Sequence, residues 1–329
     1  MKQIIMEGPR KSKIIEVDIP KITDSQILVK VLYTGMCHSE WYPWSVARPG
    51  DIFGHETVGV VAELGRSVTG FSLGDRVTGL GGGGYREYIV MEPSKTLHVP
   101  DNLASEDAIV EPLACIMSAA ERVHTCKIGG TAAVVGAGYM GLGIISLFHT
   151  LGCSDIIAVD LREQALENAK RFGATQVYHP DQMPESFRLN WDTWEKPDLT
   201  RDGHVTDIFH TGFEKVVEFT GTPSGLTLAG EMVCAHGTLG IAGYHNDGMR
   251  ELDMKLLNMK AITMFNCHER RIDYETTLCK RALDLLSSGK WNFTGVTDHI
   301  YTMEEFDRAN GEMELHTGNF IKGAVRCSD

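Results

Sequence analysis

An apolar run, Thr131–Val135, breaks into Gly136-Ala137-Gly138-Tyr139-Met140-Gly141 and resumes as a helical stretch, Leu142–Phe148. A second apolar run, Asp155–Val159, closes on Asp160, 24 residues after the first glycine. Gly-x-Gly-x-x-Gly alone is a weak signal in a chain with 35 glycines. Set between a strand and a helix, with an acid closing the next strand, it specifies a dinucleotide-binding turn. Gly136 permits the tight turn, Gly138 lets backbone approach a pyrophosphate, and Gly141 allows helix and strand to pack closely. The helix start supplies N–H groups and a positive dipole end. Asp160 stands where a carboxylate accepts from the adenosine ribose hydroxyls and repels a 2′-phosphate, which favours NAD over NADP. Arg162 joins these cofactor candidates; beside the aspartate it reads as stacking or solvated.

The surrounding pattern fits an α/β chain. Glu163–Phe172 is a helix closed by Gly173, and Val216–Thr220, Thr238–Ala242 and Ala261–Phe265 read as further buried strands. Strands alternating with helices indicate a doubly wound parallel sheet. Before Pro112 the character differs. Ile27–Tyr33, Val58–Leu64, Asp75–Thr78 and Tyr88–Met91 read as short strands broken by glycine and proline, a mostly β region. The expected division is 1–110, 111–262 and 263–329, with the last part, including a helix over Tyr274–Ser287, returning to the first domain. The polar stretch between Tyr178 and Thr211 has no clear period and reads as an extended loop or small insertion.

Composition excludes several classes. The net charge of −13 leaves no basic stripe for nucleic acid and disfavours anionic membranes. No apolar run approaches the roughly 20 residues of a spanning helix, and the N-terminal segment has no apolar core of a signal peptide, so cytoplasm is the default expectation. The eight cysteines (Cys37, Cys115, Cys126, Cys153, Cys234, Cys267, Cys279 and Cys327) are scattered without paired spacing. A disulfide framework is not expected, and most read as small buried hydrophobes.

Cys37-His38-Ser39-Glu40 follows a strand, and Gly54-His55-Glu56 opens another. A cysteine and a histidine 18 residues apart are no structural zinc signature, which takes four ligands in tight pairs. A catalytic zinc draws thiolate, imidazole and carboxylate from separated segments and keeps a position open. Glu111, in Glu111-Pro112-Leu113 at the domain junction, is a third candidate. For Cys37 the competing reading is an ordinary buried thiol. His55 is the stronger candidate, since a ligating histidine wants a carboxylate nearby to set its tautomer.

Gly54-His55-Glu56-x-x-Gly59-x5-Gly65-x-x-Val68 resembles the zinc-dehydrogenase signature of the medium-chain dehydrogenase/reductase superfamily. So do Gly35–Ser39, Gly74–Val77 and the glycine turn, in the same order, over about residues 2–325. Glu111-Pro112-Leu113 is most similar to the sorbitol-dehydrogenase-like polyol branch. The resemblance implies a Rossmann sheet plus a mostly β, GroES-like catalytic domain. It implies Cys37 and His55 as zinc ligands, Glu56 as a switching ligand or a carboxylate behind the ligands, and Glu111 bound directly or through water. Ser39 would take the substrate proton, His38 would touch the cofactor pyrophosphate, and Lys322 would reach the same pyrophosphate. Tyr42 stands where many relatives carry a proton-relaying histidine, and Glu40 where aspartate is usual. Relatives with a second, structural zinc carry four cysteines where this chain has Leu80-Gly81-Gly82-Gly83-Gly84-Tyr85, so one zinc per chain is expected.

The activity so implied is reversible hydride transfer between NAD and a secondary alcohol. A polyol or a similar polyhydroxylated or charged small molecule is expected, because His245, His268, Glu269 and Arg270 lie in loops after late strands. Trp41, Tyr42 and Trp44 either wall the substrate or pack the β domain. The resemblance also implies a homodimer or homotetramer. The competing functions are a zinc-free NADPH reductase of the same superfamily and a non-catalytic nicotinamide-binding protein.

Overall fold

A computed structural model of the chain describes residues 1–81, 83–123, 129–189, 211–316 and 318–328. It divides into two compact units: Met1–Cys115 with Glu269–Asp329, and Ile116–His268.

The first unit is built on strands. β1 (Lys2–Gly8) and β2 (Lys11–Glu16) form an antiparallel hairpin. β3 (Ile27–Gly35) is the hub. Its apolar residues are buried along most of its length, and it pairs with β4 (Glu56–Leu64), β6 (Tyr88–Met91) and β15 (Lys322–Arg326). β5 (Arg76–Leu80) and β7 (Thr96–His98) extend the sheet on the β4 side. The short helix α1 (Trp41–Ser45) follows β3, and α2 (Glu111–Arg122) leads out of the unit. With β14 (Thr297–Thr302) beside β15, the sheet order is β14-β15-β3-β4-β5-β7, with β6 attached to β3. Ile27, Val29, Val31, Trp44, Tyr85 and Phe306 belong to its core.

The second unit carries β8 (Thr131–Val135), α3 (Tyr139–Thr150), β9 (Asp155–Val159), α4 (Glu163–Arg171), β10 (Gln176–Tyr178), β11 (Phe213–Glu218), α5 (Pro223–Met232), β12 (Val233–Ile241), α6 (Met254–Lys260) and β13 (Thr263–Asn266). All strand pairs are parallel, in the order β10-β9-β8-β11-β12-β13. That is the doubly wound Rossmann order, with its switch point between β8 and β11. β8 and β9 are near-continuous apolar runs because helices cover a parallel sheet on both faces. The chain then returns to the first unit through α7 (Ile272–Ser287), β14 (Thr297–Thr302), α8 (Phe306–Leu315) and β15 (Lys322–Arg326).

Of the stretch between Tyr178 and Thr211, residues 190–210 lie outside the described residues. Its beginning forms two short 3-10 turns, Pro180–Gln182 and Glu185–Phe187. Among the described residues no helix is long and apolar enough to cross a membrane.

Candidate active site

β3 ends at Gly35 and β4 begins at Glu56, and the two residues are paired across the sheet. This register brings the segments carrying Cys37 and His55–Glu56 together although they are distant in sequence. Ligand atoms of Cys37, His55 and Glu56 all lie within 4.8 Å of one another. The close approach depends on Gly35, since a Cβ there would overlap Glu56 Oε2 and come within 2.9 Å of Ile109.

The donor set fits a zinc ion: thiolate, imidazole and carboxylate from separate segments. Glu56 is fully buried, yet its Oε1 has no hydrogen-bond donor among the described residues. Burial, and next the Glu56 carboxylate, push the Cys37 thiol up, against a hydrogen bond with His55. An apolar setting that penalises the anions of an anion-rich cluster is a setting in which a bound cation relieves the cost. His55 Nδ1 lies 2.7 Å from Glu40 Oε1, which also accepts from Gly54 N at 2.8 Å. A carboxylate on Nδ1 fixes the tautomer and leaves Nε2 as the coordinating nitrogen. Ser39 Oγ donates to Cys37 Sγ at 3.1 Å.

Glu111 does not join these three at the same spacing. At the start of α2, its carboxylate groups with Cys115, one turn on, and with Glu275 of α7, all within 4.8 Å. Cys115 Sγ donates to Glu111 Oε1 at 3.7 Å. Glu111 still feels the first cluster: burial first, then Glu56, raises it to about 7, while His55 and Lys322 act the other way. The Glu111–Cys115 pairing at i, i+4 was readable in the sequence had α2 been recognised. Glu275 was not readable there, because it comes from a distant helix.

Lys322, expected at the cofactor's pyrophosphate, is instead held inside the first unit. Its Nζ lies 2.6 Å from Glu56 Oε2 and donates to Met36 O at 2.8 Å. Burial disfavours the ammonium, but Glu56, Cys37 and Glu111 outweigh it and hold Lys322 above its ordinary range. The physical reason is local: β15 runs beside the end of β3, and the nearest anion there is Glu56. His38 stacks against Trp41 and His316. Tyr42 is partly exposed, whereas Trp44 is buried in the core beneath Arg10.

In the second unit, Gly136 takes φ +97°, and a Cβ on Gly141 would overlap Gly136 O, so turn and helix are in direct contact. A Cβ on Gly138 would meet only Arg162 Nη2, at 3.8 Å. Asp160 Oδ2 accepts from Ala137 N at 2.8 Å, and its carboxylate pairs with Arg162 Nε and Nη2 at 3.1 and 3.2 Å. Burial opposes the Asp160 charge, but Arg162 prevails and holds the carboxyl below its ordinary range.

The late-loop polar groups are bonded to their neighbours. His245 Nε2 pairs with Glu218 Oε2 at 3.0 Å and its Nδ1 accepts from Arg250 Nε at 2.8 Å. Glu269, back in the first unit, accepts from the backbone and side chain of Arg271. His245 and Glu269 are thus each oriented by an arginine of their own unit.

Residues 23–101 match the family model described as alcohol dehydrogenase GroES-like domain, and residues 139–288 that described as zinc-binding dehydrogenase. The chain is 26% identical over 342 residues to sorbitol dehydrogenase of Bacillus subtilis, covering 93% of this chain and 91% of that one. It is 28% identical to L-threonine 3-dehydrogenase of Pyrococcus horikoshii, covering 92% and 91%. Among solved structures, galactitol-1-phosphate dehydrogenase from Escherichia coli shares the fold, with a TM-score of 0.80 at 21% identity over 99% of each chain.

Proposed function

The chain belongs to the zinc-dependent alcohol and polyol dehydrogenases of the medium-chain dehydrogenase/reductase superfamily, and we infer that it oxidises a polyol reversibly with NAD. The observation that carries the reading is the Cys37–His55–Glu56 donor set around an undonated buried carboxylate oxygen. A non-catalytic binder or a zinc-free reductase has no use for that set.

Zinc bound there would supply the Lewis acidity that makes a substrate hydroxyl acidic, and the nicotinamide would accept the hydride. Cys37 and His55 are assigned as ligands. Glu56 would hold the metal beside them, and Lys322 pairs with its Oε2. Glu111 would hold the metal directly or through water. Glu40 orients His55. Ser39, hydrogen-bonded to the Cys37 sulfur, is assigned the substrate proton, with Tyr42 as its exit towards solvent. Gly136, Gly138 and Gly141 are assigned to the cofactor's pyrophosphate turn and Asp160 to the ribose, which supports NAD over NADP.

The test is zinc per chain in the purified protein and in Cys37→Ala. One zinc, lost with Cys37 together with polyol oxidation, is the expected result. A zinc-free wild type that still binds NAD overturns the reading.

A further inference from the structure

The glycines after β5 have a consequence beyond the missing cysteines, because they end on Tyr85. Its side chain is 2% exposed, with its ring edge-on to Phe306 at 4.8 Å between centroids. The turn is locked to the histidine loop: Gly84 N donates to Gly54 O at 3.0 Å, and Thr34 Oγ1 donates to Gly84 O at 2.5 Å. Gly54, immediately before His55, adopts φ +100°, and a Cβ there would lie 2.8 Å from the Tyr85 ring. Tyr85 thus forms the floor on which the His55 loop rests.

Its hydroxyl meets two acceptors that flank the metal cluster. It lies 3.2 Å from Gly35 O, at the end of the strand leading to Cys37, and 3.3 Å from Glu40 Oε2. The other Glu40 oxygen takes His55 Nδ1 and Gly54 N. A glutamate carboxylate turns about a broad terminal torsion, so donors on one oxygen alone leave its plane loosely set. A donor on the second oxygen fixes the plane, and with it the direction from which His55 is held. Burial first, and then Glu40, keeps the Tyr85 phenol well above its ordinary range, so it stays a donor.

We propose that Tyr85 is a positioning residue of the metal centre, acting through Glu40 to fix the orientation of His55. The inference rests on the assignment of zinc to Cys37, His55 and Glu56. Tyr85→Phe keeps the ring against Phe306 and Gly54 and removes only the hydroxyl, which separates positioning from packing.

The experiment measures zinc affinity by competition with a chromogenic chelator and records the visible spectrum of the cobalt-substituted protein. Tyr85→Phe is expected to bind zinc about 10- to 100-fold more weakly, the usual scale for partners that orient ligands. Its cobalt spectrum should shift while NADH binding stays unchanged. Glu40→Gln with Tyr85→Phe should be no weaker than Glu40→Gln alone, because the hydroxyl acts through that carboxylate. Phe306→Leu, which loosens the same ring without touching the hydroxyl, should lower thermal stability and leave zinc affinity in place. Wild-type zinc affinity and an unshifted spectrum in Tyr85→Phe, or losses that add to those of Glu40→Gln, overturn the proposal. A wild type that takes up no zinc overturns the assignment beneath it.

Discussion

Asp160 and Arg162 hold one another through two side-chain hydrogen bonds, and the aspartate also accepts from Arg162 N at 2.9 Å. A ribose with free hydroxyls needs the carboxylate; a 2′-phosphate needs the guanidinium without it. The pair therefore contains both preferences, with the aspartate masking the arginine. Asp160→Ser is expected to weaken NADH binding about 10- to 100-fold, the scale of one hydrogen bond to a charged group. It should weaken NADPH binding less, or strengthen it. Fluorescence titration with both cofactors decides, and a wild type that prefers NADPH sinks the NAD assignment. Asp160 was legible because it closes a strand at a fixed distance from a glycine turn. Cys37 and His55 were legible as a motif, though their meeting depends on the β3–β4 register, which no local pattern states. The partner of Lys322 was not legible, for it is set by β15 lying beside β3. Tyr85 is not legible in the sequence, because the glycine run before it carries no motif that marks a buried tyrosine.

Lys260 shows what an element junction can hide. It is the last residue of α6, fully buried, and its ammonium donates to Gly230 O and Glu231 O at 3.0 and 2.7 Å. These carbonyls belong to the last turn of α5, where a cation is favoured. Burial nonetheless lowers its pKa to about 8 from an ordinary 10.5. Below about 8 both folded and unfolded chains carry this proton, and the burial cost is constant. Between about 8 and 10.5 the unfolded chain binds the proton and the folded chain releases it, so stability rises with pH. The stability of wild type relative to Lys260→Met should rise across that window, by at most about 3 kcal/mol. Urea unfolding of both at pH 7, 8, 9 and 10 measures it, and a constant difference rules the effect out. Alternating strands and helices were readable from apolar runs, whereas α5 was not. Gly225 and Gly230 dilute its apolar period, and they are there because Thr220 and Leu257 pack against them. α2 was hidden by Pro112, which is compatible with a first helical turn. The β1–β2 hairpin was hidden by its position at a chain end rich in lysine.

At the scale of the assembled molecule, the edges of the parallel sheet carry the argument. β10 is one edge, three residues long, and Pro180 two residues past its end blunts it. β13 is the other. Among the described residues it pairs only with β12, and its sequence, Thr263-Met264-Phe265-Asn266, contains neither charge nor proline. Met264 is 37% exposed, and three of the four residues are exposed. An unblunted edge of this kind exposes backbone donors and acceptors that a second copy of the same strand can satisfy, antiparallel, across a two-fold axis. The chain is therefore expected to form a homodimer through β13. Sedimentation velocity at micromolar concentration should give a dimer for the wild type and a shift towards monomer for Met264→Lys, which places a charge on that edge. The −13 net charge works against association at low ionic strength, so raising the salt should tighten the dimer by screening repulsion. A wild type that sediments as a monomer at every salt concentration removes the dimer. A dimer indifferent to Met264→Lys and to further charges along 263–266 moves the contact to another face of the molecule.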